Sequence, residues 1–297
     1  MSAEILDGKK LAAEMRAEIK DKVAAFRERT GVRPGLGVLL VGENPASVSY
    51  VTAKEKACEE AGIASFEVRL PGSATEAEIT AEVEKMNCNP DIHGILVQLP
   101  LPKGVSEDAV IEAISPEKDV DGFTPENVGR MMIGRSCFLP CTPHGIIKML
   151  LRAGIETSGR HAVVVGRSNI VGKPVAHLLM RKGEGGNATV TVCHTGTTDL
   201  AHYVRDADIL VVAAGRAGTV TGDMVKPGAA VIDVGVNRVP DPSKPKGYRL
   251  CGDVDFDSVK EVASAITPVP GGVGPMTITM LLVNTLEAAE KAVAKGV

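Results

Sequence analysis

The sequence predicts an α/β protein of two domains, each a mostly parallel sheet flanked by helices. The chain has 297 residues, about twice the ~150 of an ordinary domain. Short apolar runs alternate with helix-period segments, once in the first half and again in the second, as in strand–helix–strand units of parallel sheets. Between the two series lies "PEKDVDGFTPENVG", which reads as loop, and the domain change is placed near 138–150. The expected division is 1–140, completed by a final helix over 275–297, and 141–274.

The elements follow in order. Asp7 precedes a helix in which Leu11, Met15, Ile19 and Val23 recur four apart, and Gly31 stops it. "GLGVLLVG" reads as a buried strand. The next helix has Asn44 as N-cap, Pro45 in its first turn and Gly62 as stop. "SFEVRL" is a strand, "TEAEITAEVEKMN" a helix, "HGILVQLPLP" a strand closed by prolines, and "SEDAVIEAIS" a helix. A helix through "TPHGIIKMLLRAG" leads to the second series. That series runs "HAVVVG", a helix after Gly172, "ATVTVCH", a helix around "DLAHYVRDA", "DILVVAAG" and "AAVIDVGV". "ITPVPGGVGPM" is a Pro/Gly-rich loop before a last helix from about Met276 to Ala294.

Composition narrows the function classes. The apolar share of 44% suits a sizeable core, and with 3% aromatics and no Trp that core is aliphatic. A net charge of −4 and a pI of 5.9 provide no field for a phosphate backbone, so nucleic acid is not an expected partner. No apolar run reaches the ~18–20 residues of a membrane span, and the N-terminus lacks a signal-peptide layout, so no membrane is expected and the location is cytoplasmic. The six cysteines, at 58, 88, 137, 141, 193 and 251, lack metal-ligand spacing and read as buried thiols, with no metal expected.

The second half holds a candidate dinucleotide site. In "VVVGRSNIVGKPVAHLLM", Gly166 ends a strand and Gly172 begins a helix, whose N-terminus suits a pyrophosphate. The spacing is not G-x-G-x-x-G, and a plain tight turn explains the segment equally well. The next strand ends in Cys193, His194 and Thr195, with no carboxylate for ribose hydroxyls, while Arg167 follows the first glycine. A guanidinium in place of a carboxylate suits a ribose phosphate, which favours NADP over NAD. His194 is assigned no chemistry, and Asp233 reads as a residue that satisfies a turn at a strand end.

The first half holds four candidates for chemistry. Tyr50 and Lys54 lie four apart on one helix and share a face. Gln98 is a polar amide in an apolar strand, and a buried amide needs a partner that a nearby Lys could supply. Asp121 sits in "KDVDGF". Taken singly, Lys54 reads as solvated surface and Asp121 as a turn former. Tyr50 and Lys54 also spell Y-x-x-x-K, the pair of short-chain dehydrogenases, but there the dinucleotide turn precedes the pair, and here it follows by more than a hundred residues.

The combination resembles one family. "SVSYVTAKEKACEEAGI", "GILVQLPLP", "EKDVDGFTPENVGR", "PCTPHGI", "VVVGRSNIVGKP", "GAAVIDVGVNR" and "ITPVPGGVGPMT" are similar, in order, to the bifunctional methylenetetrahydrofolate dehydrogenase/cyclohydrolases. The resemblance implies a homodimer with a catalytic folate-binding domain and a Rossmann-like NADP domain. It implies oxidation of 5,10-methylenetetrahydrofolate with NADP, then hydrolysis of the methenyl cation to 10-formyltetrahydrofolate. Carried over by position, Tyr50 stacks on the substrate's aminobenzoyl ring, Lys54 transfers protons in the hydrolysis, Gln98 holds Lys54, and Asp121 anchors the pterin. Gly274 and Pro275 lie beside the substrate. Gly166, Arg167, Ser168, Thr195 and Val236 line the cofactor. One departure is "CHTGT" where the family often has "CHSKT"; the lost lysine shifts phosphate recognition onto Arg167. "GEGGN" also looks like a small local insertion. The alternative is an NADP-dependent dehydrogenase of similar architecture acting on another small substrate, such as shikimate.

Overall fold

The computed structural model describes residues 2–296. Its first half runs β1 (Glu4–Ile5), α1 (Gly8–Thr30), β2 (Gly35–Val41), α2 (Pro45–Ala61), β3 (Ala64–Leu70), α3 (Glu76–Cys88), β4 (Gly94–Val97), α4 (Glu107–Glu112), α5 (Pro125–Met132) and α6 (Cys141–Arg152). Its second half runs β5 (His161–Val165), α7 (Gly172–Met180), β6 (Thr189–Cys193), α8 (Leu200–Val204), β7 (Ile209–Val212), β8 (Ala230–Asp233), β9 (Asn237–Pro240), β10 (Tyr248–Cys251), α9 (Phe256–Val259), β11 (Ala265–Ile266) and α10 (Val273–Lys295). Among the described residues no helix is long and apolar enough to cross a membrane.

The chain forms two compact units. One comprises Ala13–Cys141 with the chain from Ile278 onward; the other comprises the chain up to Ala12 with Thr142–Thr277. The first residues therefore lie in the second-half unit and not, as the sequence suggested, with residues 13–140. The cause is β1: it pairs in parallel with β11, Glu4 opposite Ala265 and Ile5 opposite Ile266.

The first-half unit has a three-stranded parallel sheet in the order β3-β2-β4. All seven residues of β2 are buried, as a central strand covered on both faces requires. The helices beside it carry strong local signals. Asn44 caps α2 by accepting from the Ala46 N–H at 2.9 Å, and Gly62 ends it at φ 79°. Thr75 and Glu78 form a reciprocal capping box on α3.

The second-half unit has a six-stranded sheet in the order β1-β11-β8-β7-β5-β6, parallel throughout. β5 pairs with β6 on one side and β7 on the other, so the chain reverses direction across the sheet at β5. That reversal is the topological switch point at which open parallel sheets bind ligands beyond their carboxyl ends. An antiparallel hairpin, β9–β10, stands apart from this sheet.

Three sequence expectations need correction. "TPENVG" is not loop: Thr124 caps α5, its hydroxyl accepting from the Asn127 N–H, and Pro125 occupies the first turn. Gln98 lies just past β4, although its N–H still donates to the Leu39 carbonyl at 2.9 Å and extends the ladder by one bond. All six cysteines are free thiols; Cys58, Cys141 and Cys193 are buried, and Cys88 is exposed, contrary to a uniformly buried set.

Candidate active site

Lys54 is placed by the packing of its helix. The buried residues of α2 include Ser47, Val51, Lys54, Cys58 and Ala61, spaced four, three, four and three apart. That spacing is a helix core stripe, so Lys54 occupies a position where an aliphatic residue would ordinarily pack. It is 9% exposed. Tyr50, one turn earlier, is 46% exposed at the edge of the stripe. The reading of Lys54 as solvated surface is therefore wrong.

The buried ammonium has a designated acceptor. Lys54 Nζ donates to Gln98 Oε1 at 2.9 Å. Gln98 Nε2 donates to the Leu99 carbonyl at 2.7 Å, which turns the amide so that its oxygen faces the lysine. A neutral amide satisfies the ammonium without adding a counter-charge. Burial lowers the Lys54 pKa below the ordinary lysine value, and the nearby Asp121, Cys141 and Cys58 only partly oppose it.

Asp121 rides on a loop that Asp119 holds. The Asp119 carboxylate is 1% exposed and accepts from the Phe123 N–H (3.2 Å), the Thr124 N–H (2.8 Å), the Thr124 hydroxyl (2.7 Å) and Asn127 Nδ2 (2.8 Å). Gly122 follows at φ 70°, where an added Cβ would sit 2.6 Å from the Phe138 carbonyl oxygen. Only glycine fits that turn. From α10, Asn284 Nδ2 donates to the carbonyls of Val120 (2.7 Å) and Leu139 (3.0 Å). Asp121 itself accepts no backbone N–H among the described residues. Burial raises its carboxyl pKa, Lys54 draws it down, and Asp119 adds to the rise. Desolvation outweighs the mutual attraction at both Lys54 and Asp121, which leaves a proton-labile pair.

The second cluster lies at the carboxyl ends of adjacent strands. Gly166 follows β5, Thr195 follows β6, and Val236 follows β8. Gly166 has φ 130°, and a Cβ there would lie 2.2 Å from the Ala213 carbonyl oxygen after β7. A Cβ at Gly172 would meet the Gly166 carbonyl oxygen at 2.3 Å. The two glycines let the turn and the start of α7 close on each other, which leaves a cradle without side chains. Ser168 Oγ accepts from the N–H groups of Val171 (3.2 Å) and Gly172 (3.3 Å) and so shapes the turn. Arg167, Ser168, Thr195 and Val236 are exposed. His194 Nδ1 accepts from the Gly196 N–H at 3.1 Å, a turn role. Asp233 accepts from the N–H groups of Gly235 (3.0 Å), Asp253 (2.9 Å) and Val254 (3.0 Å), so it does satisfy a turn.

The structure thus joins Lys54 to Gln98 directly and to Asp121 electrostatically, with Tyr50 on the same helix. Gly274 and Pro275 fall in the first turn of α10, Gly274 beside open space. Sequence reasoning missed Asp119, Asn127, Cys141 and Asp253 as side chains that organise these loops. The spacing of Ser47, Val51, Lys54, Cys58 and Ala61 did carry a signal that Lys54 is buried.

Comparison with known proteins shows the family. Residues 6–121 match the family described as tetrahydrofolate dehydrogenase/cyclohydrolase, catalytic domain, and residues 140–293 match its NAD(P)-binding domain. The bifunctional protein FolD of Geobacillus thermodenitrificans is 57% identical over 99% of this chain and 100% of its own. The methylenetetrahydrofolate dehydrogenase-cyclohydrolase of Trypanosoma brucei, solved with NADP cofactor and inhibitor, is 44% identical with a TM-score of 0.93, covering 99% of both chains. The bifunctional enzyme of Campylobacter jejuni is 48% identical with a TM-score of 0.91, covering 98% of this chain and 99% of its own. A shikimate dehydrogenase with NADP+, 12% identical with a TM-score of 0.51, shares the fold alone.

Proposed function

The chain belongs to the tetrahydrofolate dehydrogenase/cyclohydrolase family, and from that membership we propose how its own residues divide the work of the family's two reactions. The protein oxidises 5,10-methylenetetrahydrofolate to the methenyl form with NADP and hydrolyses that product to 10-formyltetrahydrofolate. NADP supplies the acceptor for the hydride that leaves the methylene carbon. The glycine cradle at Gly166 and Gly172 fits a pyrophosphate, and Arg167 and Ser168 beside it fit a ribose phosphate. Thr195 and Val236, on the same sheet edge, complete the proposed lining.

The observation that carries the division is the buried Lys54–Gln98 pair. Hydride loss needs no protein base, so positioning carries that step. Hydrolysis does need proton transfer. Water adds to the methenyl carbon and gives up a proton; the carbon–N5 bond then breaks, and N5 takes the hydroxyl proton of the adduct. Lys54, with its pKa lowered, is suited to take the first proton as a neutral amine. Gln98 aims it. Asp121 anchors the pterin by accepting from its N–H groups, Tyr50 offers an exposed ring to the aminobenzoyl group, and Gly274 and Pro275 contribute further substrate contacts.

The resemblance also supports a cytoplasmic homodimer that supplies one-carbon units for purine synthesis, with neither nucleic acid nor membrane as partner. The test is a paired assay: methylenetetrahydrofolate with NADP or NAD, following reduced cofactor and methenyl product separately. NADP-dependent reduction, with methenyl consumed faster than in buffer, is the expected outcome. Accumulation of methenyl at its uncatalysed decay rate would remove the hydrolytic role of Lys54.

A further inference from the structure

We propose that Asp253 is a positioning residue for the dinucleotide: its buried carboxylate ties together two segments at the cofactor edge of the six-stranded sheet, the loop after β7 and the chain at Val236–Asn237. The proposal rests on the cofactor reading above.

Asp253 is 0% exposed and follows β10, away from every residue assigned to the cofactor in the sequence. One carboxylate oxygen, Oδ2, accepts from two consecutive backbone amides after β7, Ala214 N–H at 2.7 Å and Gly215 N–H at 2.8 Å. Two successive amides converging on one anion form a small nest, and the protein fills it with its own carboxylate. The other oxygen, Oδ1, accepts from Asn237 Nδ2 at 2.8 Å, and Asn237 directly follows Val236. The Asp253 carbonyl accepts from the Thr219 N–H at 2.7 Å and closes the far end of the same loop.

The glycines show that the chain is shaped around this carboxylate. A Cβ at Gly235 would fall 2.1 Å from Asp253 Oδ1, and a Cβ at Gly252 would fall 1.7 Å from Asp233 Oδ2. Each of these glycines admits an aspartate from the other side of the hairpin. Asp233 in turn accepts from the Asp253 N–H at 2.9 Å, so the two aspartates brace one another.

The loop they hold has little else to fix it. It reads "AAGRAG" from Ala213 to Gly218, with Gly215 at φ 69° and Gly218 at φ 66°, and Ala214, Gly215 and Arg216 are exposed. It offers almost no side chain to pack. Its first residue, Ala213, presses its carbonyl against Gly166. Loss of the Asp253 carboxylate therefore frees the Ala214 and Gly215 amides after β7 and loosens the start of the hairpin beside Val236, while Ala213 stays on β5 through its N–H bond to the Val165 carbonyl at 2.7 Å. Dinucleotide affinity should fall, and the folate-only hydrolysis should not.

The experiment compares Asp253→Asn, Asn237→Ala and Arg167→Ser with the unmodified enzyme. NADP KM is measured in the reduction, and methenyl hydrolysis is measured without cofactor. Charge-assisted bonds to a buried carboxylate are strong enough that Asp253→Asn should raise NADP KM about tenfold or more. Hydrolysis should stay within about twofold. Asn237→Ala removes the Nδ2 bonds to Asp253 Oδ1 and to the Gly252 carbonyl and should raise NADP KM by about threefold. A fall of both activities in proportion, with NADP KM unchanged, would mean a merely structural carboxylate and would overturn the proposal. If only Arg167→Ser raises NADP KM, the proposal fails and the cofactor reading stands. If none of the three moves it, the cofactor reading fails and the proposal with it. Should Asp253→Asn not fold, an unchanged NADP KM in Asn237→Ala overturns the proposal by itself.

Discussion

Asp119 and Asp121 stand two residues apart on one loop, and the fold treats them in opposite ways. Asp119 accepts four hydrogen bonds and is sealed in. Asp121 accepts none from the backbone among the described residues and faces a lysine whose own partner is a neutral amide. The same contrast separates the two units: Asp233 and Asp253 are each held by three donors, whereas Lys54 donates to Gln98 alone among the described residues. A buried charge saturated with donors is a structural pin. A buried charge left short of partners keeps its interaction capacity for a ligand or a proton.

The largest expected effect breaks the comparison at Lys54. Lys54→Met removes the proton acceptor and should lower methenyl hydrolysis ~10³-fold, within the span of general acid–base catalysis. The dehydrogenase rate should fall far less, because its step rests on positioning. Equal loss of both in a folded variant would make Lys54 an orienting group only.

The paired aspartates come next. Asp119→Ala leaves four donors short of an acceptor and should cost on the order of 3–5 kcal/mol, seen as a thermal midpoint about 10 °C lower. Asp121→Ala should melt within a few degrees of the unmodified protein yet raise folate KM by about ten- to a hundredfold. Matching Tm losses with matching KM values would erase the distinction.

A further effect concerns pH. Burial raises the Asp233 carboxyl to about 6, against the pull of three N–H donors. Its folded-state pKa thus lies above the unfolded value near 3.8. The cost of keeping it ionised is present above about pH 6, and it is relieved as the pH falls toward 3.8, because the folded state then takes up a proton first. The swing is on the order of 3 kcal/mol. The stability difference between the unmodified protein and Asp233→Asn should therefore move in favour of the unmodified protein between about pH 7 and 4, read by denaturant midpoints. A difference constant with pH would contradict the assignment.

Much of this architecture was legible. Capping residues and stop glycines placed α1 and α2, because local backbone chemistry sets helix ends. The apolar runs placed β2, β4, β5, β7 and β8, because strands covered on both faces need no polar side. β1 and β11 were not legible, since two residues each carry no periodicity; β1 exists through its pairing with β11, and β11 through its pairing with β1 and β8. α5 hid because Pro125 and Thr124, which start it, are also loop residues. At the site, Tyr50, Lys54, Gln98 and Asp121 stood out as chemistry-bearing types in unusual company. Asp119 and Asp253 did not, because a structural aspartate differs from a turn former only in the three-dimensional donors that surround it.

The most direct test is the titration of Lys54 itself. Lysine Cε resonances of the intact protein can be followed by carbon-13 NMR across the alkaline range, with the Lys54 signal identified by its absence in Lys54→Met. A titration clearly below the ordinary lysine value of 10.5 is the predicted result, since burial with a neutral partner disfavours the ammonium. A Lys54 signal that titrates at the ordinary lysine value of 10.5 would contradict it, and the hydrolytic proton transfer would need another group.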